Sequence, residues 1–213
     1  MIPRTVFEEE HEMFRSSVRR FLDEEVVPFH AQWEKDGQVD RELWRKAGAQ
    51  GYLVPQAPEI YGGAEADFRY NAVIDEEVSR SGCTGLGWGV HSDIVVPYLM
   101  NYGSAAQKER YIAACVRGDI VTAIAMTEPG TGSDLQGIRT TAIADGDDYV
   151  INGSKTFITN GQHADLIVVV CKTDPSAGAA GTSLILVEGD AEGFARGRNL
   201  DKVGLKAQDT SEL

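Results

Sequence analysis

The chain has 213 residues, of which 42% are hydrophobic and 25% charged; a chain of that size buries a core without disulfide or metal staples. Lys and Arg total 20 against 33 Asp and Glu, a net charge of −13, so the basic face that nucleic-acid binding needs is excluded. No purely apolar run is long enough to span a bilayer, and Met1–Glu10 lacks the basic and apolar blocks of a signal or transit peptide.

In chain order, the first half reads as helix. Phe7, Phe14, Val18, Phe21, Leu22 and Val26 fall on one helical face, and Pro28 is expected to end that run. A shorter helix is predicted over roughly Asp40 to Gln50, before Gly51. Leu53 to Gly63 carries two prolines and a Gly-Gly pair and reads as loop. Ala66 to Ser79 is predicted helical, with Val73 and Val78 inward. Thr84 to Met100 is mostly apolar and glycine-rich, the pattern of a buried helix. Ser104 and Gln107 have the spacing of a capping box, opening a helix that ends near Gly118.

Beyond Gly118 the period shortens. Asp119 to Met126 is strand-prone. Arg139 to Ala144 and Tyr149 to Asn152 flank Asp145-Gly146-Asp147-Asp148, a hairpin signal. Ala164 to Lys172 and Ser183 to Glu188 read as strands, joined by a small, flexible Pro175–Thr182 segment. Val203 to Leu213 looks like a strand and turn still in progress. Helices first and strands second predict an α+β chain: an α-helical domain over residues 1–118, then a β domain over residues 119–213.

The four histidines are too scattered for a metal motif and no HExxH occurs, so no metal is expected. Cys83, Cys115 and Cys171, far apart and without a CxxC, read as reduced, buried thiols of a cytoplasmic protein. Gly85 to Val90 fails as a dinucleotide fingerprint, and Gly153 to Thr156 lacks P-loop spacing. Two segments carry a positive signal. Met126-Thr127-Glu128-Pro129-Gly130-Thr131-Gly132-Ser133-Asp134 follows a predicted strand. Its two glycines permit a backbone whose successive N–H groups point one way, and its hydroxyls add donors for a pyrophosphate or a polar ring edge. Asn152 to Gly161 places Phe157 and Thr159 two residues apart. In a strand they share a face and present a ring and a donor to one planar ligand.

Together these segments resemble the acyl-CoA dehydrogenase family of flavoenzymes. The pattern is the M-T-E-P-x-x-G-S-D loop followed by N-G-x-K-x-(aromatic)-I-(Thr/Ser)-N-G. The likeness runs along essentially the whole chain, through Tyr61-Gly62-Gly63, Val90-His91-Ser92, Gly103-Ser104 with Gln107 and Lys108, and Gly204 to Thr210. It is nearest to the long-chain acyl-CoA dehydrogenases. The resemblance implies an N-terminal helical domain, a middle β-barrel domain and a C-terminal four-helix bundle, usually as a homotetramer with FAD between the last two. Carried onto this chain, the cofactor would be lined by Ile124, Ala125, Met126, Thr127, Glu128, Pro129, Gly130, Thr131, Gly132 and Ser133, with Phe157, Ile158 and Thr159 flanking the ring. Thr127 would hydrogen-bond the isoalloxazine, and Ser133 would touch the pyrophosphate and border the acyl-CoA substrate. The family often has Trp at the Phe157 position; Phe keeps the aromatic face and loses one donor.

The implied chemistry is α,β-dehydrogenation of a fatty acyl-CoA in β-oxidation, with an electron-transfer flavoprotein as acceptor. The bundle and the end of the β domain are expected to be missing. The family's catalytic glutamate lies in that bundle, so no glutamate here takes the role, and Glu128 is assigned to shaping the loop or to the surface. The isolated chain is therefore expected to be inactive. The alternatives are a non-catalytic fragment or flavin- and acyl-CoA-binding module completed by a separate chain, and, within the same fold, an acyl-CoA oxidase or flavin monooxygenase. His91 and the Gly85–Gly89 run are candidates for lining the acyl cavity.

Overall fold

The computed structural model describes residues 5–213. They form two compact units. One runs through Val121 and takes in Asp201–Asp209; the other is Thr122–Leu200 with Thr210–Leu213.

The first unit is helical: α1 (Glu9–Glu25), α2 (Val27–Asp36), α3 (Arg41–Ala49), α4 (Phe68–Ser81), α5 (Val96–Tyr102) and α6 (Ala105–Arg117). Helix α1 buries Val18, Phe21 and Leu22, the face its apolar spacing predicts. Helix α1 does stop just before Pro28, at Glu25, but a new helix begins at once. Pro28 sits in the first turn of α2, where a missing N–H leaves no hydrogen bond unmade. In α4 the inward residues are Asn71, Val73, Ile74 and Glu77; Val78 is only half-buried. Thr84–Met100 is not one helix. Thr84 and Gly85 form a turn, Gly87 takes a φ of 73°, and the chain widens into a π turn over Val90–Val95 before α5. Pro97 has no N–H to continue the ladder, and the widening falls on the turn before it.

Helix α6 opens on the predicted box. Gln107 N–H donates to Ser104 Oγ at 3.2 Å, and Ser104 N–H donates to Gln107 Oε1 at 2.8 Å. It ends on Gly118 at a φ of 74°. Helices α3 and α6 meet so closely that a Cβ on Gly48 would lie 2.3 Å from the Arg117 carbonyl oxygen.

The second unit holds β1 (Thr122–Ala125), β2 (Thr141–Asp145), β3 (Asp148–Asn152), β4 (Ile158–Thr159), β5 (Leu166–Lys172), β6 (Thr182–Glu188) and β7 (Thr210–Ser211). A five-stranded sheet is ordered β1-β5-β2-β3, with β6 also on β5; β4 and β7 form a two-stranded one. Strand β5 is central and buried from Leu166 to Cys171, which is why it reads as a continuous apolar run. It pairs in parallel with β1 and antiparallel with β6. The β2–β3 hairpin has the expected register, Asp145 opposite Asp148, with Gly146 supplying the positive φ. The core gathers Ala123, Ala125, Ala142, Ile158, Ala164, Ile167, Val169 and Cys171. Small residues on β1 and β2 let larger ones on β5 fill the space. Pro175–Gly181, expected to be a flexible link, winds into 3₁₀ turns interrupted at Gly178. All three cysteines are free and buried.

Candidate functional site

The site is built at the end of β1. Ala125 is buried in the core, Ile124 and Met126 are half-buried, and the chain then leaves the sheet. Glu128 and Thr131 exchange backbone hydrogen bonds of 2.9 and 3.0 Å, closing a tight turn over Pro129 and Gly130, which are exposed. Thr131 Oγ1 donates to the Gly137 carbonyl at 3.1 Å. Gly132 and Ser133 follow in the open. The glycines do not act as expected. Neither Gly130 nor Gly132 takes a positive φ, and a Cβ on either would meet nothing. The turn is set by the Glu128–Thr131 pairing instead.

Glu128 shapes this loop, and it does so from inside. Its carboxylate is 7% exposed. It accepts Arg139 N–H at 2.7 Å, Thr140 N–H at 2.9 Å, Thr140 Oγ1–H at 2.6 Å and Lys155 Nζ at 3.0 Å. Burial alone would raise the carboxyl, but these hydrogen bonds outweigh it and hold the pKa at about 2. Burial also pulls the Lys155 ammonium below its usual value, opposed by Glu128. A Cβ on Gly153 would lie 2.2 Å from Thr140 Oγ1, so Thr140 reaches the carboxylate only because residue 153 has no side chain.

Lys155 joins the two predicted segments. Its Nζ also donates to the Met126 carbonyl at 2.9 Å, and Thr156 N–H donates to the Thr127 carbonyl at 2.9 Å. The backbone of Lys155 exchanges two further bonds, of 2.8 and 2.9 Å, with Leu213. Phe157 is then 67% exposed at a φ of 60°, outside any strand. The strand argument for a shared Phe157–Thr159 face therefore fails, because β4 begins only at Ile158. Exposure still alternates: Ile158 is buried between exposed Phe157 and half-buried Thr159. Thr159 lies opposite Thr210 in the β4–β7 ladder. Asn160, at a φ of 64°, closes the segment by donating from Nδ2 to the Thr122 carbonyl at 3.1 Å.

Sequence reasoning brought out the loop and the aromatic segment, with Gly153, Lys155 and Asn160 inside its motif, but gave these three no joining role and missed Thr140. The available signal was Lys155 itself, a charge close to Thr156 and Ile158, which are both buried. His91 is a core residue. It is fully buried, with Nε2 3.1 Å from the Cys115 carbonyl and its ring edge-on to Trp44. Of the Gly85–Gly89 run, Trp88 and Gly89 reach a small cleft of the helical unit, beside Tyr52, Asn71, Asp75 and Asp93. Burial raises the Asp93 carboxyl there to about 6.

The hydroxyls of Thr127, Ser133 and Thr159 make no hydrogen bond among the described residues. Phe157, exposed, follows the residue that bonds Thr127, and this donor set suits a planar, acceptor-rich ring carrying a polar tail.

Two family models match: the N-terminal domain of acyl-CoA dehydrogenase over residues 8–119 and the middle domain over residues 123–213. The chain belongs to the acyl-CoA dehydrogenase family. The mitochondrial long-chain specific acyl-CoA dehydrogenase of Sus scrofa is 53% identical over 212 residues, 99% of this chain and 49% of that protein. The crystal structure of an acyl-CoA dehydrogenase from Geobacillus kaustophilus superimposes with a TM-score of 0.96 at 54% identity, over 99% of this chain and 56% of that one. An acyl-CoA dehydrogenase from Bacillus anthracis, solved in complex with FAD, matches with a TM-score of 0.87 at 32% identity, over 97% and 35% of the two chains. The chain spans about half the length of the curated relatives it matches. Among the described residues no helix is long and apolar enough to cross a membrane.

Proposed function

We propose that the chain carries the flavin- and thioester-facing part of an FAD-dependent acyl-CoA dehydrogenase that introduces an α,β double bond into long-chain fatty acyl-CoA. The observation that carries this reading is the joined pair of segments, Met126–Ser133 and Phe157–Thr159, with three unengaged hydroxyls and an exposed ring. Thr127 and Thr159 would hold the ring edge and Ser133 the pyrophosphate and the border of the substrate. Phe157 would cover the ring and exclude water. Bound FAD supplies a two-electron acceptor for the hydride that leaves the β carbon.

Glu128 is not the base that removes the α proton. Its oxygens are already committed to four donors, and a carboxyl held at about 2 is a poor proton acceptor. The resemblance places the base in the family's C-terminal bundle, and the chain spans about half the length of its curated relatives, so turnover is proposed to need the part those relatives carry in addition. An electron-transfer flavoprotein as acceptor and a homotetrameric whole enzyme complete the proposal. The long-chain assignment rests on 53% identity to the pig long-chain enzyme against 36% to the isovaleryl-CoA dehydrogenase of Oryza sativa.

The test is the visible spectrum of the purified chain after incubation with FAD and desalting. A retained flavin band supports the reading, and a colourless, folded protein overturns it for this chain. Supplying the C-terminal half of a relative and titrating acyl-CoA thioesters of increasing length then checks the substrate. Bleaching strongest with long chains is expected. Bleaching only with short branched ones would sink the long-chain assignment, and rapid re-oxidation of the bleached flavin by oxygen would favour an oxidase.

A further inference from the structure

We propose that Lys155 is a positioning residue for the flavin-facing loop, setting where Thr127 stands relative to Phe157 and Thr159; this rests on the FAD reading above. The argument is geometric. One ammonium group, 4% exposed, bonds the residues on either side of Thr127: the Met126 carbonyl at 2.9 Å and the Glu128 carboxylate at 3.0 Å. The next residue, Thr156, takes the carbonyl of Thr127 itself at 2.9 Å. Thr127 is thus held on both flanks and at its own backbone by two consecutive residues. Phe157 follows directly, at a φ of 60° that a bulky side chain adopts only when its surroundings impose it. The dipeptide Lys155–Thr156 therefore converts a flexible loop and a strained aromatic into one fixed surface. Its ends are fixed in turn, by the Leu213 backbone pair on one side and by the Asn160 amide on Thr122 on the other.

A lysine that only filled space would be replaceable by an apolar side chain of equal length. A lysine that positions needs its donors. A guanidinium, with several donors on a similar stem, retains part of the function, although it cannot match the geometry of an ammonium.

The test compares Lys155→Met, Lys155→Arg and Lys155→Met combined with Glu128→Gln. The double variant guards against misfolding, because the single apolar change strands a buried carboxylate. The first readout needs no flavin: amide hydrogen exchange at Thr131 and Thr156, the donors to Glu128 and Thr127. Both Met variants are expected to lose protection there while Val168–Val170 of β5 keep theirs, with Arg intermediate. The second readout is FAD affinity and the visible circular dichroism of the bound flavin. An affinity loss of about tenfold or more and an altered band shape are expected in the Met variants, with partial recovery in Arg. Glu77→Gln, a destabilising change in the helical unit, should lower the unfolding midpoint and leave the flavin spectrum as it was. Wild-type exchange at Thr131 and Thr156 in the double variant overturns the role of Lys155. So does an unaltered flavin spectrum and affinity. A wild-type chain that takes up no flavin sinks the FAD reading, while the exchange data still decide whether Lys155 fixes the loop.

Discussion

Glu77 is 2% exposed on the inner face of α4, and arginines meet it from two helices. Arg19 grips it with Nε and Nη2, both at 2.9 Å; Arg80 Nε lies at 2.6 Å and Arg15 Nη1 at 3.3 Å. The hydrogen bonds from Arg19 lead in holding the carboxyl at about 2, against burial, with Arg80 and Arg15 adding to them. This is the latch between α1 and α4. Arg19 and Arg80 are each nearly half exposed, so solvent screens part of the attraction. Glu77→Gln is therefore expected to cost about 2 kcal/mol by urea unfolding at neutral pH, below the ~3–5 of a fully buried pair. The sign with pH follows from a depressed carboxyl: its contribution is whole above the unfolded value of 4.5 and disappears as pH falls toward about 2. The gap between wild type and variant should close across that window. A gap that stays constant down to the lower end would mean the charge is not what holds the helices. Glu128 titrates over the same window and should make the β unit acid-sensitive in parallel.

At the scale of elements, local rules predicted most boundaries because local chemistry sets them. The Ser104–Gln107 box, Gly118 and the Gly146 hairpin are each decided by a few adjacent residues. The failures share a different cause. Pro28 as a helix opener depends on where α1 stops, and the turn at Thr84–Gly85 depends on what packs against it. The loop glycines are the instructive case. By residue type Gly130 and Gly132 look essential and Gly153 incidental, yet a Cβ is free at the first two and clashes with Thr140 at the third. Gly130→Ala and Gly132→Ala should thus leave folding stability within about 0.5 kcal/mol of wild type. Gly153→Ala must displace Thr140 from Glu128, at a cost of about 1–3 kcal/mol. Denaturant midpoints of the three variants decide it. If Gly130→Ala keeps its stability but loses FAD affinity, the glycine is there for a ligand's close approach, not for the turn.

For the whole molecule, the order of helices then strands was legible, since periodicity changes at Gly118 and the change reflects which face each element buries. The discontinuous make-up of the helical unit was not. Asp201–Asp209 belongs to it although the residues on both sides belong to the β unit, and its sequence, Asp-Lys-Val-Gly-Leu-Lys-Ala-Gln-Asp, has no period to betray this. One close approach in it is decided by small residues. Ala207 is fully buried, and a Cβ on Gly85 would lie 2.6 Å from its own Cβ. Two small residues far apart in sequence are therefore one packing decision, which no local window contains. Gly85→Ala should destabilise the helical unit by about 1–3 kcal/mol through overpacking, with amide protection falling over Val90–Tyr102 and holding in β5. Ala207→Gly alone removes a buried methyl and should cost less. The pair of changes together relieves the Cβ–Cβ contact but not the approach of the new Cβ to the Ala207 carbonyl carbon and the Gln208 nitrogen, both 2.9 Å away, so the two costs should fall short of additive without cancelling. Partial recovery of stability in the double variant would establish that the Ala207 methyl is one of the contacts that require Gly85. Simple additivity would mean that the backbone at Ala207 and Gln208, not the Ala207 methyl, is what excludes a side chain at residue 85.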